Sequence, residues 1–126
     1  MPLAEGSIDL VYSNGVFHHI LPENRVVALR ELYRVVRPSG HIFIFENNPL
    51  NPLMMRAMAK SPLDANAHAL KARELARLIS DSGFFLLKTG YYFLFPHFLR
   101  FLRWIEPLVE RLPLGAQYFV WAKCQK

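Results

Sequence analysis

Two stretches decide the fold, Ile8-Asp9-Leu10-Val11-Tyr12-Ser13 and His41-Ile42-Phe43-Ile44-Phe45-Glu46. The first follows a turn signal, Glu5-Gly6-Ser7, and is β-branched and aromatic enough to read as a strand. The second is apolar at consecutive positions, the pattern of a strand buried on both faces of a sheet. Between them, Pro22 suits the first turn of a helix running to about Arg37. Val26, Leu29, Tyr33 and Val36 recur at helical spacing, and Pro38-Ser39-Gly40 ends the run. Strand, helix and buried strand in so short a span make a βαβ unit, and such units are right-handed and build parallel sheets.

Further along, Asn47 to Pro52 is a loop, since two prolines and three asparagines allow little else. Residues 53–68 give no clear signal beyond a helical stretch around Met54–Lys60. A second helix spans Ala72 to Ser82, with Leu75, Leu78 and Ile79 on its apolar face and Gly83 in the left-handed position that closes it. Phe84 to Leu94 reads as a strand with a bulge at Gly90. His97 to Leu112 is amphipathic and interrupted by Pro107, and Gln117 to Cys124 is the last strand. Residues 1–126 thus form a single α/β domain. Within it, 94–116 is a candidate lid or substrate-side insertion.

A chain of 126 residues with 52% apolar content can bury a core, and 20% charged residues argues against disorder. The single Cys124 excludes an internal disulfide and a cysteine-built zinc site, which suits the cytoplasm. No apolar run approaches the ~20 residues that cross a bilayer. The net charge of +5 is uneven: residues 1–52 hold four basic against five acidic groups, so the excess lies in the second half. There the basic residues are dispersed among apolar ones, without an aromatic ladder, which speaks against nucleic-acid binding. Membrane contact through 98–112 is an option that ordinary packing onto the sheet outweighs.

Several motifs in order resemble the second half of a class I S-adenosylmethionine-dependent methyltransferase of the type 11 kind. These are the Pro2-Leu3-Ala4-Glu5-Gly6-Ser7-Ile8-Asp9-Leu10-Val11 lead-in, the Val16-Phe17-His18-His19 segment, and Glu31-Leu32-Tyr33-Arg34-Val35-Val36-Arg37-Pro38-Ser39-Gly40, where Ser39 replaces a glycine of the pattern. Glu74-Leu75-Ala76-Arg77-Leu78 through Gly83-Phe84 follows, and the Asn48-to-Pro52 and Pro113-to-Tyr118 segments add to the likeness. The resemblance implies a partial Rossmann-like sheet, mostly parallel, with the 8–13 strand on one edge beside 41–46. It also implies a last strand inserted antiparallel between 41–46 and 84–94, with helices on the faces.

In that family the cofactor, S-adenosylmethionine, sits over a Gly-x-Gly loop after the first strand, and an acid after the second holds the ribose. Glycines permit close backbone approach and a carboxylate accepts two hydroxyl bonds. None of the six glycines here lies within four positions of another. The sequence begins at what resembles the fourth strand, so the resemblance implies a domain without its N-terminal half, incomplete for cofactor binding.

Ligands of open α/β sheets bind outside the carboxyl ends of strands. The first such end offers Ser13, Asn14 and Gly15 to the cofactor, with a plain strand-to-helix turn as the competing reading. His18 and His19 follow as candidate general bases, since an imidazole can take a proton near neutral pH. A metal is not expected, because sequence neighbours rarely converge on one ion. The second end offers Glu46 and Asn48 to the substrate, against a reading in which the loop asparagines satisfy backbone groups. The function implied is methyl transfer to a small-molecule acceptor. The alternative is a non-catalytic methyltransferase remnant that pairs with or regulates a partner chain, and the 8–13 edge is a candidate for self-association.

Overall fold

A computed structural model shows how the apolar run at 41–46 is used. It is the second half of a long strand, β2 (Val36–Asn47). Its alternate residues Ile42, Ile44 and Glu46 are buried, whereas His41, Phe43 and Phe45 are half-buried. The structure describes residues 1–92, Trp104, Pro113 and 115–126. The 97–112 amphipathic segment apart from Trp104, most of the 94–116 lid candidate and the far end of the 84–94 strand therefore lie outside the described residues.

β1 (Ile8–Asn14) runs parallel to β2, and β4 (Gln117–Cys124) lies antiparallel both to β2 and to β3 (Phe84–Tyr92). The order across the sheet is β1-β2-β4-β3, the order the sequence implied, with β1 on an edge. Three strands point one way and β4 alone is reversed.

Helices α1 (Pro22–Val35) and α3 (Ala72–Asp81) supply Leu29, Leu75 and Ile79 to a core that continues through Ile42, Ile44, Val120 and Ala122 of the sheet. Each such side chain, fully withdrawn from water, contributes roughly 1.5–3 kcal/mol. Tyr118 is also fully buried and donates its hydroxyl to the Leu70 carbonyl. Burial pushes its phenol far above the usual range.

The expectation that β2 is buried on both faces needs correction. The second face is an aromatic layer: Phe43 stacks on Trp121 at 5.2 Å between centroids, Phe45 meets Phe119 at 5.8 Å, and Tyr12 meets Phe45 at 5.3 Å. Large rings read as core in a sequence, yet half-burial suffices for them here.

A second correction concerns the end of α1. The helix stops at Val35, and Pro38-Ser39-Gly40, read as a stop, runs inside β2. The strand absorbs it as a bulge, since Ile8 pairs with Val36 but Leu10 pairs with His41. Ser39 accordingly takes φ +65°, a left-handed conformation in which a side chain is strained. Gly40 cannot be replaced cheaply, because a Cβ there would lie 2.6 Å from Val36 Cγ1 and 2.9 Å from the Asp9 carbonyl.

The unsignalled 53–68 region contains α2 (Pro52–Lys60) and a short 3-10 turn, Pro62–Asp64. Asn51 caps α2, its Oδ1 accepting from Met54 N at 2.9 Å, and Pro52 stands at the first helical position. No helix of the described residues is long and apolar enough to cross a membrane.

Candidate functional site

At the carboxyl end of β1, Gly15 takes φ +67° and its amide donates to Phe45 O at 2.9 Å. This bend leads into a 3-10 turn, Phe17–His19, beside the carboxyl end of β2. There Glu46, on the inward-facing set of β2, points its carboxylate at the turn. Oε1 accepts from the Phe17 amide at 2.6 Å, and Oε2 lies 2.6 Å from His18 Nδ1. An ionised carboxylate only accepts, so Nδ1 carries the hydrogen of this contact.

His18 is 4% exposed and Glu46 1%. The other ring nitrogen of His18, Nε2, faces Asp64 Oδ1 at 3.2 Å. His19 is half-exposed, meets the His18 ring at 4.1 Å between centroids with a tilt of 42°, and brings its own Nε2 to within 3.5 Å of the same Asp64 oxygen. One acid from β2 and one from the Pro62–Asp64 turn therefore converge on two adjacent histidines.

Arg25 completes the support. It is 2% exposed, and backbone carbonyls receive its guanidinium: Nε donates to Phe17 O and Ile20 O, and a terminal nitrogen donates to His68 O at 2.6 Å. The His68 amide in turn donates to His18 O at 2.7 Å. The guanidinium thus ties the histidine turn to the segment that follows Asp64.

The residues expected at the site separate into two groups. His18, His19 and Glu46 are brought together, and Glu46 faces inward onto protein groups. Asn48 stands apart: both its amide hydrogens are taken by Pro113 O and Gly115 O, and its Oδ1 accepts from Leu50 N. Those bonds hold the 113–116 stretch against the β2 loop, so the amide is fully engaged by backbone.

Ser13 lies on β1 with its hydroxyl buried and without a hydrogen-bond partner among the described residues. It lines an apolar groove of about 510 Å³ with Val16, Phe17, Ile20, Val27 and Ala28. Asn14 is exposed at the strand end. Across the aromatic face, burial and the neighbouring Tyr12 and Glu46 push the Tyr92 phenol up to about 12.

Asp64 and Arg25 were not singled out from the sequence. Asp64 sits in the stretch with no periodicity, and a buried arginine looks like any other helical cation until its carbonyl partners are seen. The capping-type proline at position 62 was the one local hint of order there.

The family model of a methyltransferase domain matches residues 1–44, which contain β1, His18, His19 and most of β2. No curated protein matches the chain significantly. Among solved structures, an S-adenosylmethionine-dependent methyltransferase of Archaeoglobus fulgidus superposes with a TM-score of 0.76 over 96% of this chain at 18% identity.

The fold is that of the S-adenosylmethionine-dependent methyltransferases. A Thermotoga maritima member, described as a possible histamine N-methyltransferase, gives a TM-score of 0.73 over 99% of the chain at 17% identity. A methyltransferase of Haloferax volcanii, solved in complex with a methyltransferase activator, gives 0.69 over 100% at 16%. The chain spans 61%, 60% and 57% of these three proteins. In the methyltransferase fold, the histidine turn and Glu46 stand at the carboxyl edge of the sheet, where open α/β sheets take their ligands.

Proposed function

We propose that the chain is the acceptor-side portion of an S-adenosylmethionine-dependent methyltransferase that acts on a small molecule. The observation that carries the reading is the buried Glu46–His18 pair, which fixes the turn bearing the half-exposed His19 at the carboxyl ends of β1 and β2. Methyl transfer is an in-line displacement. The acceptor's lone pair forms the new bond to carbon, the carbon–sulfur bond breaks, and sulfur keeps its electron pair. The protein aligns the partners and removes a proton where the acceptor carries one.

In this reading His19 takes that proton and His18 is a positioning residue, held between two carboxylates. Ser13, Asn14 and Gly15 line the path to the methionine end of the cofactor, and Glu46 acts through His18. The cofactor's adenosine has no counterpart here, because the sequence contains no Gly-x-Gly loop. A cytoplasmic setting accords with the single, buried Cys124.

Calorimetric titration of the chain with S-adenosylmethionine tests this. Each lost charge-assisted bond to the ribose forfeits ~1.5–3 kcal/mol, and 1.4 kcal/mol is about tenfold, so binding at millimolar concentrations or weaker is expected. Micromolar binding would overturn the incomplete-site reading. Methyl transfer restored by adding a chain that carries the Gly-x-Gly half, and lowered about 10²–10⁴-fold by His19→Ala, would support the catalytic reading.

A second reading, a non-catalytic remnant that pairs with or regulates a partner, is favoured by the exposed edge of β1. Leu10 and Tyr12 there are 55% and 64% exposed. Restored binding without any transfer would select it.

A further inference from the structure

We infer that His18, His19 and Asp64 form a binding site for a divalent first-row transition ion of the zinc kind, with Glu46 as the outer carboxylate. This goes beyond methyl transfer and does not depend on it; while His19 Nε2 holds an ion it cannot also take an acceptor's proton, so the two uses of His19 exclude each other.

The argument starts with hydrogen counting. A neutral imidazole has one N–H and one lone pair. Glu46 Oε2, 2.6 Å from His18 Nδ1, takes the N–H. The lone pair on Nε2 is then left pointing at a second carboxylate oxygen, Asp64 Oδ1, 3.2 Å away. His19 Nε2 approaches that same oxygen at 3.5 Å. The three possible ligand atoms all lie within 4.8 Å of one another. A cation among them turns the His18 Nε2–Asp64 repulsion into two bonds and gives the second histidine a third.

Two of the three edges suit the ion. Zinc bonds of about 2.0–2.1 Å to nitrogen and oxygen give a tetrahedral edge of roughly 3.3 Å, between the two separations to Asp64, and the third edge, between the histidine nitrogens, lies within 4.8 Å and closes as the exposed His19 ring turns. Two imidazoles and a carboxylate are ligands of intermediate softness, as zinc prefers. Glu46 on Nδ1 supplies the carboxylate–histidine pairing that fixes the orientation and raises the basicity of a metal-binding ring. Arg25 and the His68–His18 backbone bond lock the turn, so the donors are held before any ion arrives. Neighbouring histidines rarely converge on one ion. Here they do so because the tight 3-10 turn brings their rings to 4.1 Å and Asp64 closes the third corner from 46 residues away. Three protein ligands leave a fourth position for water or for a nitrogen or oxygen of an acceptor, on the side where His19 is open to solvent.

The full chain is titrated with Zn(II), and separately with Co(II), whose intense visible bands report four-coordination. One equivalent is expected to bind and raise the melting temperature. His19→Ala and Asp64→Asn are each expected to abolish the Co(II) bands and to weaken zinc by more than the ~10–100-fold that an outer-shell change costs. His41→Ala, a histidine of β2 outside this cluster, is expected to leave both unchanged. Zinc X-ray absorption on the unmodified chain should count two imidazoles and needs no variant. Stoichiometric binding that survives either substitution, a first shell without two imidazoles, or no binding at all would overturn the site. The last outcome would mean that a proton on His18 Nε2 fills the gap instead.

Discussion

Glu46 and His18 are joined across the carboxyl ends of two parallel strands by a 2.6 Å contact in which both partners are almost wholly buried. The same carboxylate also accepts the Phe17 amide, so one side chain satisfies both the backbone and the ring of the turn. Glu46→Ala is expected to cost about 2–6 kcal/mol, because it leaves two buried donors, the Phe17 amide and the His18 ring, without an acceptor at about 1–3 kcal/mol each. Glu46→Gln keeps the shape and one acceptor and should cost less than half as much. Denaturant midpoints at constant m-value check both.

Ser39 gives a prediction of opposite sign. Its φ of +65° strains a side chain by roughly 1–2 kcal/mol, whereas glycine takes that conformation freely. Ser39→Gly should therefore stabilise the chain by about 0.5–1 kcal/mol, once the extra freedom of glycine in the unfolded chain is deducted. The expected readout is a higher melting temperature. An unchanged or lower one would mean that the bulge relaxes around serine without strain.

Gly83 closes α3 at φ +107°, with the Tyr33 ring set against it. An added Cβ would lie 2.9 Å from that ring and in a backbone region that side chains rarely adopt. Gly83→Ala should destabilise by about 1–3 kcal/mol, from backbone strain together with displacement of Tyr33. Pairing it with Tyr33→Ala should recover part of the steric share but none of the backbone share. A double-mutant cycle separates the two.

These positions also show what the sequence reveals and what it withholds. The positions of the strands and helices followed from periodicity and turn residues, which act locally, whereas the strand order, the edge position of β1 and the reversal of β4 followed only from the family resemblance that the motifs around Asp9, Arg37 and Gly83 carry. Glu46 was visible as an acid ending an apolar run, and the histidines as a polar pair after a strand. The convergence of Asp64 on them was not, since a contact between residues 46 apart leaves no local trace. Arg25 was hidden for the same reason: the carbonyls that justify burying it belong to a turn and a loop. Asn48 had two readings in the sequence, and the positions of Pro113 O and Gly115 O decide how its amide is spent.

Tyr92 sets an alkaline limit. Its phenol is pushed up to about 12, first by burial and then by Tyr12 and Glu46. The folded value lies above the unfolded one of about 10, so the folded chain holds the proton longer. The resulting stability is fully present below pH ~10 and is lost as the pH rises through about 12. Ultraviolet titration of phenolate should show one tyrosine ionising near that value, which Tyr92→Phe removes. The variant's stability should also fall less steeply across this window than that of the unmodified chain.

The edge of β1 carries the last prediction. β1 is hydrogen-bonded to β2 on one side, and among the described residues it ends the sheet on the other. Leu10 and Tyr12 stand more than half exposed on that strand. An open edge of unpaired amides and carbonyls beside apolar side chains is a template for another strand, which natural sheets usually block with charge. The apolar groove that reaches Ser13 and Val16 adjoins it. Self-association through β1 is therefore expected, and sedimentation should show a mass above the monomer that rises with concentration. Leu10→Lys places a charge on the edge without removing a core contact. It should return the chain to monomer while changing intrinsic stability by no more than about 0.5 kcal/mol. If the unmodified chain sediments as a monomer at high concentration, the edge is not used between copies. If association persists in Leu10→Lys, it runs through a different surface.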